Sequence, residues 1–158
     1  DARVALDLLR TAADTAERNG DSTVTIAHVK SAKNSIEFDA VSEGIRTLSP
    51  QSKIVLMSIT KNVEADNPRM TTGDVYNKYK EICDVLDVKP LTQRRVTDLI
   101  SELDMMGIIN ASVRSFGRAG RTKEIELAAP KENIMILRDD PMFKDFEYSK
   151  SPRQTKLM

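Results

Sequence analysis

Apolar residues in this chain fall into helix-spaced stripes divided by capping residues, and one short, well-capped stripe runs directly into strand-spaced alternation. Between 93 and 106, Val96, Leu99, Ile100, Leu103 and Met106 recur at steps of three and four, which places them on one face of a helix. Thr92 suits the N-cap, Leu91 and Val96 the two ends of a hydrophobic staple, and Gly107 the left-handed residue that closes the helix. After Gly107 the period shortens. Ile109, Ala111 and Val113 alternate with polar residues, as do Ile125 and Leu127, so two strands flank a tip made of Gly117-Arg118-Ala119-Gly120.

The same signals place the upstream elements. Residues 2–18 carry Ala5, Leu8, Leu9, Ala12 and Ala16 on one face and stop at Gly20. Thr25 caps a second helix, stapled by Val24 and Val29, whose periodicity runs through Ile36, Phe38, Val41, Ile45 and Leu48, with Ser42 or Gly44 as the place for a break. Helices this small bury little area by themselves, so residues 1–48 are expected to pack on another domain. Ser49-Pro50 then reads as an N-cap with proline at the first helical position, opening a helix over 51–64 with Val55, Leu56, Ile59 and Val63 in its core. Thr71 and Asp74 form an acidic capping box for the next helix, Met70 and Val75 its staple, and Val75, Tyr79, Ile82, Cys83 and Leu86 its apolar stripe. Ile134, Met135 and Leu137 predict one more short helix, and the polar residues 147–158 a loose tail.

Three helices with a short connection from Asp87 to Leu91, followed by a two-stranded hairpin, is the order of a winged helix-turn-helix. The expected fold is therefore mostly α: a helical segment over 1–48, then a winged helix-turn-helix domain with a β-hairpin wing over 49–146.

Charge placement gives this fold a use. Gln93-Arg94-Arg95 opens the helix at 93–106 with two cations, which oppose the positive end of the helix dipole at roughly 0.3–1 kcal/mol each. That cost has no visible compensation inside the chain, and free backbone N–H groups beside two guanidiniums suit an external phosphate or a base edge. Arg114, Arg118, Arg121 and Lys123 cluster about the hairpin tip, with Glu124 alone answering them nearby. The candidate DNA-binding residues are thus Thr92, Gln93, Arg94, Arg95, Arg114, Arg118, Gly120, Arg121 and Lys123.

Composition narrows the choice further. Lys plus Arg and Asp plus Glu both number 24, so net charge gives no argument for nucleic acid and the local clusters must carry it. Aromatic content of 4% with no Trp speaks against a single-strand or RNA reader built on stacking, and favours duplex DNA. One cysteine excludes an intramolecular disulfide framework and a zinc finger. With no long apolar run and no signal-peptide pattern, no membrane contact and a cytoplasmic location are expected. A start at Asp1 with a helix already under way leads us to expect a piece of a longer protein.

Pro90-Leu91-Thr92-Gln93-Arg94-Arg95-Val96, the continuation from Leu99-Ile100-Ser101-Glu102-Leu103 to Gly107-Ile108-Ile109, and the tip Gly117-Arg118-Ala119-Gly120-Arg121-Thr122 closely resemble archaeal origin-recognition and cell-division-control replication initiators. The resemblance covers nearly the whole chain. It implies a helical lid over 1–48 belonging to an absent AAA+ ATPase domain, followed by the family's C-terminal winged helix. It also implies double-stranded origin DNA and the replicative helicase as partners, besides the AAA+ core of the same protein, and ATP or ADP with Mg as cofactors of the full-length parent. Asp1-Ala2-Arg3 with Ala5-Leu6-Asp7-Leu8-Leu9-Arg10 resembles the second sensor motif, which assigns Arg3 to the nucleotide phosphates. No Walker A or Walker B sequence is present, so the piece itself is expected not to hydrolyse ATP.

Two other readings stay open: a winged-helix transcriptional regulator, whose residues 1–48 would dimerise, and a winged helix used for protein contact, whose arginines would face an acidic partner. Other conspicuous residues receive plain roles. His28 lacks companions at metal-ligand spacing and reads as a surface or partly packed histidine, and Cys83 as a small core residue. Tyr76, Tyr79, Met105 and Met106 read as core and rim packing, and Asp139-Asp140 as a solvated loop before Pro141.

Overall fold

The computed structural model describes residues 1–115, 117–144 and 146; the tail expected over 147–158 lies outside them. Among the described residues are six α-helices and three strands, in the order α1 (Ala2–Asn19), α2 (Ile26–Arg46), α3 (Pro50–Glu64), β1 (Met70–Thr71), α4 (Thr72–Val85), α5 (Gln93–Met105), β2 (Ile109–Ser115), β3 (Arg121–Leu127) and α6 (Lys131–Arg138). The chain forms two compact units, dividing within α2 between Glu43 and Gly44. No break occurs at Ser42 or Gly44. Gly44 serves packing instead, since a Cβ there would come within 3.3 Å of Met106 Cε.

In the first unit, α1 closes on Gly20 at φ 77°, with the Asp21 N–H donating to the Ala16 carbonyl. Its buried residues are Ala12 and Ala16. Ala5 and Leu9 were expected on the same covered face but are exposed, as are Val4 and Leu6, because the unit holds too little chain to cover the first two turns. Thr25 stands where the cap of α2 was placed, and its N–H donates to His28 Nδ1 at 3.0 Å. A histidine three residues into the helix thus replaces the usual Glu of a capping box. The bond fixes the proton on Nε2, which lies 3.0 Å from Asp21 Oδ2. His28 is buried rather than a surface residue.

The second unit is built around α3. Ile54, Val55, Leu56, Met57 and Ile59 are all fully buried, and α4, α5, α6 and β3 pack against this helix. A helix buried on several sides must satisfy its polar groups locally: Ser58 donates to the Ile54 carbonyl and Thr60 to that of Leu56. Ser49 and Thr71 cap α3 and α4 as their sequence predicts, with the Thr71–Asp74 box complete in both directions. The helix at 131–138 also forms, with Ile134 and Leu137 buried, but Met135 points outward.

The hairpin has a third strand that its alternation did not announce. β1 pairs antiparallel with β3, Met70 opposite Ile125, so the sheet runs β1-β3-β2 with β3 in the middle. Asp139 and Asp140 are not merely a solvated loop. Asp140 pairs with Lys53 of α3 at 2.7 Å and accepts the Met142 N–H, holding the chain after α6 against the hub. The hydrogen bond from Lys53, with the Met142 N–H adding to it, keeps the Asp140 carboxyl below its ordinary pKa despite partial burial.

A carboxyl depressed on folding contributes stability that is full above its unfolded value, about 3.9, and is lost as pH falls through the lower folded value. Lys53→Met is therefore expected to lower stability by about 1–3 kcal/mol at pH 7 and to flatten the acid limb of the stability profile. Denaturant titrations at several pH values check this; parallel profiles for parent and variant would refute it.

Candidate nucleic-acid interface

The opening of α5 has the geometry that its cap residues specify. Thr92 Oγ1 accepts the Arg95 N–H at 3.3 Å, while the amides of Gln93 and Arg94 have no partner among the described residues. Thr92, Gln93, Arg94 and Arg95 are all exposed, and the opposite face buries Val96, Leu99, Ile100 and Leu103. Arg95 stands 3.9 Å from Asp98 in a loose pair more than half exposed, worth little in water. The guanidinium of Arg94 has no partner among the described residues. At the far end, Gly107 takes φ 73°, its N–H donates to the Asp104 carbonyl, and the Ile108 N–H reaches the Leu103 carbonyl. These two bonds turn the chain sharply from α5 into β2. Met105 and Met106, expected as packing residues, lie at this turn and are exposed, Met105 by 88%.

Between β2 and β3 the tip is a short 3-10 turn over Gly117–Ala119, with Gly117 at φ 62° and Gly120 at φ 90°. Left-handed backbone at both ends accounts for both glycines. Register divides the basic cluster between the two faces of the wing. Ser115 lies opposite Arg121 and Val113 opposite Lys123, on the face that continues inward to Ala111 and Ile125; Arg114 lies opposite Thr122 on the other face.

The cluster is therefore not equally available. Arg114 is drawn to Glu124 at 3.1 Å, a diagonal cross-strand pair. Lys123 is partly buried and donates to Ser101 Oγ of α5 at 2.7 Å, which joins the wing to the helix. Arg118 and Arg121 are exposed with no ion pair among the described residues. A second tie between α5 and the wing, unseen in the sequence, is the Ala111 N–H donating to Asp104 Oδ1 at 3.1 Å.

Also unforeseen is what precedes α5. The Leu91 N–H donates to Tyr79 Oη at 2.9 Å, and Tyr76 Oη donates to the Leu91 carbonyl at 3.1 Å. The Tyr79 hydroxyl itself donates to Gln51 Oε1 at 2.6 Å. Both tyrosines were read as packing residues, and the helical spacing that put them on one face was the one signal available. Burial pushes the Tyr79 hydroxyl up to about 12 and raises the Cys83 thiol beside it, so neither ionises near neutrality.

Arg3 lies exposed in the first turn of α1, where its N–H is capped by Asp1 Oδ1. No group of His, Cys, Asp and Glu among the described residues could hold a metal ion. Nor is any described helix long and apolar enough to cross a membrane. What the second unit offers is an exposed helix start whose first amides are free among the described residues, with guanidiniums beside it and at a wing tip, an arrangement whose charge suits an anion.

Residues 43–136 match the family described as CDC6, C terminal winged helix domain, and residues 1–34 the one described as Cdc6 AAA+ ATPase-type lid domain. The chain belongs to the Cdc6 family and carries its lid and winged-helix parts. It is 58% identical, over 99% of its length, to the ORC1-type DNA replication protein of Thermococcus kodakarensis. It is 54% identical, over 93%, to ORC1-type DNA replication protein 7 of Halobacterium salinarum. It spans 38% and 29% of those two relatives. Among solved structures, the Aeropyrum pernix ORC1 protein in complex with DNA matches with a TM-score of 0.83 and 44% identity, over 92% of this chain and 38% of that one.

Proposed function

We propose that this chain is the origin-binding end of an ATP-dependent replication initiator and helicase loader. In this reading α5 enters the major groove of duplex DNA with Thr92, Gln93, Arg94 and Arg95, while Arg118 and Arg121 on either side of Gly120 reach the backbone or minor groove. The observation that carries it is the set of exposed guanidiniums without ionic partners among the described residues, Arg94, Arg118 and Arg121, on a chain whose formal charge is zero. Arg114 and Lys123 take secondary places, since each already has an internal partner. The Aeropyrum relative, whose structure is a complex with DNA, supports the assignment.

The first domain, over 1–48, acts as the lid of an AAA+ core, with Arg3 reaching the phosphates of ATP or ADP bound there with Mg. The winged helix occupies 49–146. Nucleotide hydrolysis belongs to that core, helicase recruitment to the whole initiator, and both to the cytoplasm.

Titration of this chain against labelled duplex at two salt concentrations tests the reading, with an origin repeat from the source genome beside a scrambled duplex. Salt-dependent binding that prefers the repeat is expected. Equal binding to both would leave a DNA-binding winged helix without origin preference, and binding to neither would favour the use of this surface for an acidic protein partner.

A further inference from the structure

We propose that Tyr79 and Tyr76 are positioning residues for DNA recognition: by gripping both polar groups of Leu91, they set where the first turn of α5 stands. This rests on the DNA-binding reading above. Leu91 immediately precedes Thr92, the cap of α5, so any displacement of its peptide carries over to Gln93, Arg94 and Arg95.

The segment between the two helices has little else to hold it. α4 ends with Asp87 in the left-handed region at φ 53°, and the Val88 N–H closes that end on the Cys83 carbonyl at 2.8 Å. From there to Thr92, no backbone-to-backbone hydrogen bond involves Lys89, Pro90 or Leu91 among the described residues. Pro90 fixes its own φ and offers no donor. The tyrosine hydroxyls supply what the backbone does not: Tyr79 accepts the Leu91 N–H, and Tyr76 donates to the Leu91 carbonyl.

The grip is itself braced. The two rings are stacked with centroids 6.0 Å apart and planes 20° apart, and Lys80 Nζ lies 4.9 Å over the Tyr76 ring. Tyr79 is fully buried and bonded to Gln51, in the first turn of α3. A chain of bonds thus runs from the hub helix through α4 to Leu91, the residue before the cap of α5. Tyr79 uses its one donor on Gln51 and an acceptor site on Leu91, so removing the hydroxyl frees the Leu91 amide without opening a large cavity.

The test compares Tyr79→Phe, Tyr76→Phe and Gln51→Leu with the parent. Gln51→Leu removes the brace but leaves the Leu91 bond, and so reports the cost to stability alone. Tyr79→Phe is expected to reduce preference for the origin repeat over scrambled duplex about tenfold, as when one base contact is lost, with scrambled-duplex affinity and salt slope unchanged. Gln51→Leu should retain the preference. Amide hydrogen exchange without DNA provides a second readout: exchange at Leu91 and Arg95 should quicken about tenfold in Tyr79→Phe while the core amides of α3 stay protected. Unchanged preference and unchanged exchange in Tyr79→Phe would overturn the proposal. If the parent binds both duplexes equally the origin reading fails, and if it binds neither the DNA reading fails; in either case the exchange measurement still decides whether the hydroxyls position α5.

Discussion

The double variant Arg118→Ala/Arg121→Ala is expected to bind duplex DNA more weakly than the parent and to lose much of its sensitivity to salt. Each phosphate contact contributes about 0.9 to the slope of log affinity against log salt, so removing two lowers the slope by about 1.8. Raising salt fourfold then costs the variant roughly tenfold less affinity than it costs the parent. The prediction falls on these two residues because both stand at the wing tip, exposed and without ionic partners among the described residues. Arg114→Ala makes the comparison sharp. Its guanidinium already lies 3.1 Å from Glu124, so its removal should change the slope less than either tip substitution. Salt titrations of the three variants decide the matter. An unchanged slope in the double variant would remove the wing tip from the interface.

Ile125→Ala should be among the most damaging single substitutions in the second unit. Ile125 is fully buried in the middle strand, opposite Met70 on one side and Ala111 on the other, so it joins all three strands and faces the helical core. Truncating such a side chain costs about 2–5 kcal/mol, the lost transfer energy plus the cavity left behind. In a domain of this size that lowers the melting temperature on the order of 10–20 °C. Val113→Ala provides the contrast on the same face, one pleat further out, where the side chain is 65% exposed. Its effect should stay within about 0.5 kcal/mol. Thermal unfolding followed by circular dichroism checks both, and a loss under about 1 kcal/mol for Ile125→Ala would mean that the wing is not anchored through this residue.

What could be read from the sequence was what depends on neighbours within a turn. Thr92 and Gly107, Ser49 with Pro50, and Thr71 with Asp74 mark helix ends through bonds spanning three to five residues, and each end lies where these residues put it. The α5 stripe was equally plain, because burial on a helix repeats at steps of three and four. The partners of the wing residues were not. Lys123 meets Ser101 across 22 positions and Tyr79 meets Gln51 across 28, distances at which only the folded core decides who is near. Charge counting around the tip had no access to register, so it could not show that Arg114 faces away from Arg121. β1 escaped for another reason: two residues are too short for alternation, and Met70 already had an explanation as a staple. The capping role of His28 was not legible because a histidine in the Glu place of a capping box is not the usual signal.

The shortness of β1 has a mechanical consequence. It covers β3 only at Glu124 and Ile125, so from Lys123 outward the wing is a two-stranded ribbon, while its base belongs to a three-stranded sheet set on helices. Two-stranded ribbons twist more readily than wider sheets and have little independent rigidity. The wing therefore behaves as a hinged arm with its pivot near the Lys123–Ser101 bond: stiff where it carries the load of the core, compliant where its arginines are presented. In the DNA-binding reading proposed above, such an arm follows the varying width of a groove from one sequence to the next while α5 holds its register.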